Sequence, residues 1–285
     1  MKTSRQQVLH WEKGRARRSL DDLAIEEPLE IRIDTQSVVV TMRTPGDDEE
    51  LAVGFLFTEG LIGSRDDLRA VRPNARNRSG NSIDVFLATG VAVDLERLAR
   101  RGFVSSSCGL CGKESIEAVR RRLKPVRSRM EVSAEILASL PEKLRASQPT
   151  FERTGGLHAA GIFDRDGHLV VAREDIGRHN AVDKVIGFGL LNGLLPFDNH
   201  ILVVSGRASF EIMQKSLAAR LSIVCAVSAP SSLAAEFARD SRQTLVGFLR
   251  AERMNVYAGQ QRVRFKAALE SPAPLQRSRQ RVAAR

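Results

Sequence analysis

The stretch HILVVSGRASFEIMQKSLAARLSIVCAVSAPSSLAAEFARD, residues 200–240, decides the fold. It reads as an apolar run, a small-residue turn and a helical pattern, and then repeats that order. HILVV and SIVCAV are apolar throughout and of strand length. In ASFEIMQKSLAARL, by contrast, Phe210, Met213, Leu217 and Leu221 recur at the spacing of one helix face. Apolar strands separated by single helices imply a largely parallel sheet covered on both faces, an α/β fold of αβα layers. Upstream, HAAGIFD (158–164) and HLVVARE (168–174) flank the turn DRDG as a hairpin, and Ile176 to Asn192 carries Val182, Val185, Ile186 and Leu190 on one helical side. Downstream, TLVGFLR (244–250) completes the alternation.

The amino-terminal half reads differently. LEIRIDTQSVVVTMR (29–43) alternates apolar and polar residues around a short break, as two antiparallel strands do. ELAVGFLFTEGLI (50–62) is a short helix, with Asp47 or Asp48 placed to cap it and Gly60 to stop it. SIDVFLA (82–88) adds a strand, and LERLARR (95–101) and ESIEAVRRRLK (114–124) are helical. This predicts a poorly ordered 1–25, a smaller β-containing unit over 26–125, a basic, helical linker over 126–150, an α/β domain over 151–258 that holds the cofactor site, and a basic disordered tail over 259–285.

The 285 residues, 42% hydrophobic and 27% charged, are enough for a real core. No run approaches the roughly 18 apolar residues of a membrane span, and MKTSRQQVLHWEKGRARR lacks a secretory core, so a cytoplasmic location is expected, away from any membrane. The net charge of +10 is concentrated in RRRLKPVRSR (120–129) and in Arg262–Arg285, with no interleaved aromatics for base stacking. That argues against a nucleic-acid surface and suits a small anion such as a nucleotide or a phosphorylated cofactor.

Three turns at the carboxyl ends of strands are placed to meet around such an anion: SGRAS with Ser205, Gly206 and Arg207, SAPSS with Ser228, and FLRAER with Phe248, Arg250 and Arg253. Each read singly is also a plain helix-capping turn. EDIGRHNAVDK (174–184) crowds ionisable groups at a helix start. Asp175 suits the cap, while His179 and Asp183, one turn apart, form an acid/base pair, an orienting pair or a surface salt bridge. His158 in TGGLHAAG is either a ligand neighbour or an interior histidine.

SSSCGLCGKES (105–115) holds Cys108 and Cys111; the third cysteine, Cys225, lies among apolar neighbours and reads as a small buried hydrophobe. Three cysteines are too few for a disulfide framework. A structural zinc site wants four ligands, and there is no second pair; a deaminase-type site lacks its His-x-Glu and its proline before the pair. No metal is expected there. A mobile thiol carrier remains, with the following helix start and Lys113 favouring thiolate.

FTEGLI (57–62), SSSCGLCG (105–112), TGGLHAA (154–160), EDIGRHNAVDKVIG (174–187), SGRASFEIMQK (205–215) and SAPSSLA (228–234) together resemble the FdhD family of formate dehydrogenase accessory sulfurtransferases, in order from about residue 27 to 257. The resemblance implies a cytidine-deaminase-like αβα sandwich with a smaller β-containing unit, and a homodimer. It also implies a sulfur carrier that takes persulfide sulfur from a cysteine desulfurase and passes it to the molybdenum or tungsten bis-pterin guanine dinucleotide cofactor, required by formate dehydrogenase. That cofactor is substrate, and no permanently bound one is implied. Cys108 would carry the persulfide and Cys111 be its partner. Phe248, Leu249, Arg250, Ala251, Glu252 and Arg253 would match the family's guanine-dinucleotide stretch. Two rival readings are a cofactor chaperone whose thiols only grip the metal, and a zinc-binding nucleotide-processing enzyme using Cys108, Cys111 and His158 or His179.

Overall fold

The computed structural model describes residues 2–75, 77, 79–93 and 123–266. Strands β1 (Thr3–Glu12) and β2 (Arg15–Ala24) form a hairpin where a poorly ordered end was expected. The polar sequence hid it because neither face of the hairpin is buried, so no apolar alternation exists to be read. Its register is supported by charge: Asp22 accepts from Arg5 at 3.1 Å and from Arg153 at 3.0 Å.

Strands β3 (Glu27–Ile33) and β4 (Gln36–Arg43) are the antiparallel pair read from the alternation. After them comes helix α1 (Asp48–Glu59), stopped by Gly60 in the left-handed conformation. Asp47 occupies the cap position but caps nothing; its carboxylate accepts from Lys2 Nζ instead. Strands β5 (Leu68–Pro73), absent from the sequence reading, and β6 (Ser82–Leu87) complete a four-stranded sheet of order β4-β3-β6-β5. Its core joins Leu29, Ile31, Val85, Leu51 and Val53. The helical patterns at 95–101 and 114–122 and both cysteines of the C-x-x-C lie outside the described residues.

The region read as a linker is part of the fold. Strand β7 (Val132–Ser133) leads into helix α2 (Ala134–Ala146), capped by the Ser133 hydroxyl, and helix α3 (Pro149–Thr154) follows. Leu137, Leu140 and Leu144 of α2 are buried against the main sheet. Pro141 inside the helix disguised their regular spacing.

The main sheet contains β8 (His158–Asp164), β9 (Leu169–Asp175), β10 (His200–Val204), β11 (Ile223–Ala226), β12 (Thr244–Arg250) and β13 (Arg253–Ala258) in the order β13-β12-β11-β10-β8-β9. Between them lie helices α4 (Arg178–Leu191), α5 (Phe210–Ala218) and α6 (Ser232–Asp240). The sheet is mixed rather than largely parallel. Only β10, β11 and β12, linked through α5 and α6, run parallel; β8–β9 and β12–β13 are joined by tight turns, which allow only antiparallel pairing. Alternate residues serve two cores. Leu202, Val204 and Val224 pack with Val182, Met213 and Phe237 of α4–α6, while Ile201, Val203 and Cys225 pack with α2. Residues 259–266, read as the start of a disordered tail, belong to the fold: β14 (Val263–Arg264) pairs with β7 and buries Val263.

The two sheets meet where α1 crosses α4. A Cβ on Gly54 would lie 1.9 Å from the Asp183 carbonyl oxygen, and one on Gly187 would lie 1.9 Å from that of Glu50. The backbones therefore touch, and only glycine fits at either position.

Candidate functional site

The three turns at the carboxyl ends of β10, β11 and β12 do converge. Ser205 is stitched to β8 in both directions: its N–H donates to the Ala159 carbonyl, and its hydroxyl accepts from the Ala159 N–H, each at 2.9 Å. The 205–209 and 228–232 turns run side by side, Ala208 bridging Pro230 and the Ser231 N–H donating to the Ala208 carbonyl. The third stretch joins them through the Phe248 N–H, which donates to the Ser228 carbonyl, and through Arg250, which donates to the Val227 carbonyl. Ser209 and Ser231 are spent as caps of α5 and α6, so the plain reading of these turns also holds in part.

Beside these turns lies a cleft of about 1040 Å³. It is lined by Ser205, Val227 and the β12–β13 turn, Arg250–Ala251–Glu252–Arg253, by His158, and by residues of α2 and α3. The remaining expected residues are placed differently. Arg207 is exposed, and Gly206 lets His158 approach, since a Cβ there would sit 3.2 Å from its Nδ1. Phe248 is 42% exposed in a left-handed conformation at an irregularity of the strand pairing. Leu249 is a correction: it is fully buried in the core beneath α2 and cannot touch a ligand in the cleft. Burial holds the His158 imidazole below its ordinary pKa, and the nearby Arg178 and Arg207 add to this.

The EDIGRHNAVDK segment ties elements together. The Glu174 carboxylate accepts from the N–H groups of Thr150 (3.0 Å) and Phe151 (2.6 Å), fixing the start of α3. Asp175 does not cap α4, whose cap position is Gly177; it forms a fully buried ion pair with Lys184 at 2.8 Å and accepts from the Gly177 and Thr44 N–H groups. His179 and Asp183 have separate partners. His179 Nε2 lies 3.2 Å from the Ser209 hydroxyl and 3.3 Å from Glu211. Asp183 accepts from Thr58 at 2.9 Å and from Lys215 at 3.0 Å, and Lys215 also reaches Glu59 at 3.2 Å.

The electrostatics follow burial. His179 is lowered to about 3, first by burial and then by Lys215, Arg178 and His158. Glu211 is raised, again mainly by burial. Their contact thus joins two groups that both favour the neutral form. Burial pushes Asp183 up to about 6 against the pull of Lys215, so at neutral pH it remains a counter-ion. Burial opposes the Lys215 charge too, but Asp183, Glu59 and Glu211 outweigh it and hold the ammonium above its ordinary value. Among the described residues no three His, Cys, Asp or Glu side chains form a metal-ligating group, and no helix is long and apolar enough to cross a membrane.

Sequence reasoning missed the α2–α3 wall and Lys215. The first was hidden by its basic, linker-like composition. The second was hidden because its partner, Asp183, lies on another helix and at no helical spacing from it.

Comparison with known proteins places these features in a wider set. A protein from Streptomyces avermitilis named sulfur carrier protein FdhD is 48% identical over 278 residues, covering 93% of this chain and 97% of its own. One of the same name from Mycobacterium tuberculosis is 45% identical over 271 residues, covering 92% and 98%. The crystal structure of a protein from Desulfotalea psychrophila, assigned as a formate dehydrogenase accessory protein, superposes with a TM-score of 0.74 at 26% identity, covering 92% of this chain and 99% of that one. The family model for FdhD/NarQ matches residues 24–264, which span both sheets, the cleft and the C-x-x-C, and the chain accordingly belongs to the FdhD/NarQ family.

Proposed function

We propose that the chain is a sulfurtransferase that carries sulfur as a persulfide on Cys108. It receives the sulfur from a cysteine desulfurase and passes it to the molybdenum or tungsten bis-pterin guanine dinucleotide, the substrate that formate dehydrogenase later takes up. Loading is thiol exchange. The Cys108 thiolate attacks the outer sulfur of the desulfurase persulfide, the donor S–S bond breaks, and the donor cysteine leaves as thiolate. Cys111 shares the sulfur or releases it.

The observation that carries this reading is the meeting of the 205, 228 and 248 turns beside one cleft of about 1040 Å³, with Arg250 and Arg253 on its wall. The guanidinium groups suit the pyrophosphates of such a substrate, and a neutral His158 is able to accept or donate a hydrogen bond beside them. The name shared by the relatives supports the sulfur cargo. The finer fold reading is a cytidine-deaminase-like sandwich kept without deaminase chemistry, supported by α4–α6 on one sheet face and α2 on the other. The working form is a homodimer in the cytoplasm.

The test is loading by a cysteine desulfurase with radiolabelled cysteine sulfur, followed by measurement of protein-bound persulfide. Cys108→Ala is expected to abolish the label and Cys111→Ala to change its retention. Undiminished persulfide in both single variants would overturn the assignment.

A further inference from the structure

One part of the cleft lining comes from outside the three turns. It is built by α2 and α3, and it presents a planar cation on a planar ring: the Arg145 guanidinium lies 4.3 Å from the centroid of the Phe151 ring. Arg145 is exposed and has no ion-pair partner among the described residues, so neither its charge nor its outer face is committed. Phe151 is fixed in place, because its own N–H donates to the buried Glu174 carboxylate at 2.6 Å. Glu142, one helical turn before Arg145, lines the same cleft with an exposed carboxylate.

A stacked guanidinium and phenyl ring form a platform that another flat π-system extends, and this tolerates any purine. A carboxylate beside the platform is not tolerant. It accepts hydrogen bonds from the adjacent N–H groups on the Watson–Crick edge of guanine, and it meets only an acceptor at the same ring nitrogen of adenine. Arg250 and Arg253 line the same cleft from the β12–β13 turn and offer guanidinium groups to phosphate.

We infer that the α2–α3 wall is the base-recognition half of the cleft, where Arg145 and Phe151 stack the purine and Glu142 selects guanine. This rests on the assignment of the cleft to a guanine dinucleotide substrate. It adds the residues that read the base and separates them from those that hold phosphate.

Calorimetric titration of the full chain with GDP, ADP and inorganic pyrophosphate tests it. Arg145→Lys keeps the charge and loses the plane, so GDP affinity is expected to fall roughly tenfold, the worth of one stacked base, with pyrophosphate affinity unchanged. Phe151→Leu should behave alike. Arg253→Ala should weaken GDP and pyrophosphate together, and Glu142→Ala should reduce the preference for GDP over ADP roughly tenfold, the worth of a hydrogen bond to a charged acceptor. Wild-type GDP binding in Arg145→Lys and in Phe151→Leu would overturn the inference while leaving the cofactor reading standing. A wild-type chain that binds pyrophosphate but does not prefer GDP to ADP would overturn it as well. Absence of any binding to the wild-type chain would remove the cofactor reading of the cleft itself.

Discussion

His179 sits below its ordinary pKa of 6.5 first because its ring is buried, and then because Lys215, Arg178 and His158 lie near it. The unfolded chain binds a proton there near pH 6.5, and the folded chain binds it only near 3. Stability from this group is therefore fully present above about 6.5 and is lost as the pH falls from there toward 3. Urea midpoints measured from pH 7 down to pH 4 should decline more steeply for the wild type than for His179→Gln; parallel declines would show that the ring is not protected. The Lys215 cluster works differently. Its ammonium has carboxylate partners on α1 and on α4 while itself on α5, so it holds three helices in one arrangement, and loss of the ammonium would leave the Asp183 carboxylate buried without its counter-ion. Spacing made His179 and Asp183 legible as functional-looking residues but could not say which helix each one faces.

Helix α1 crosses α4 at Gly54 and Gly187, and the crossing leaves no room for a side chain. Adding one methyl group at Gly54 must push the helices apart, at a cost of about 1–3 kcal/mol for an overpacked interior. Chemical denaturation should report that loss for Gly54→Ala and for Gly187→Ala. Gly156→Ala, where a Cβ meets its nearest neighbour at an ordinary 3.6 Å, serves as the control and should change stability by less than about 0.5 kcal/mol. The helices and central strands were legible because each buries one face or both, and burial writes a period into the sequence. The elements that escaped have weaker or interrupted periods. Strand β13 follows a two-residue turn containing Glu252, and the β1–β2 hairpin buries neither face; α2 was read as helix, but as linker rather than core, because Pro141 interrupts the spacing of its leucines.

Across the whole molecule, the site was legible on one side only. Turns rich in serine, glycine and arginine were expected to meet, and the structure joins them beside a cleft; the α2–α3 lining came from a segment read as a basic, helical linker. Leu249 was carried along by its neighbours, but alternation along a strand sends it to the core. The third thiol now acquires a use of its own. Cys225 is completely enclosed between β10 and β12, and burial raises its thiol well above the ordinary range. Native alkylation should thus titrate no more than the Cys108–Cys111 pair, and unfolding in urea should raise the count to three; a native count of three would contradict that enclosure. The fold thereby supplies an internal standard, and any sulfane sulfur counted on the native chain has a known address.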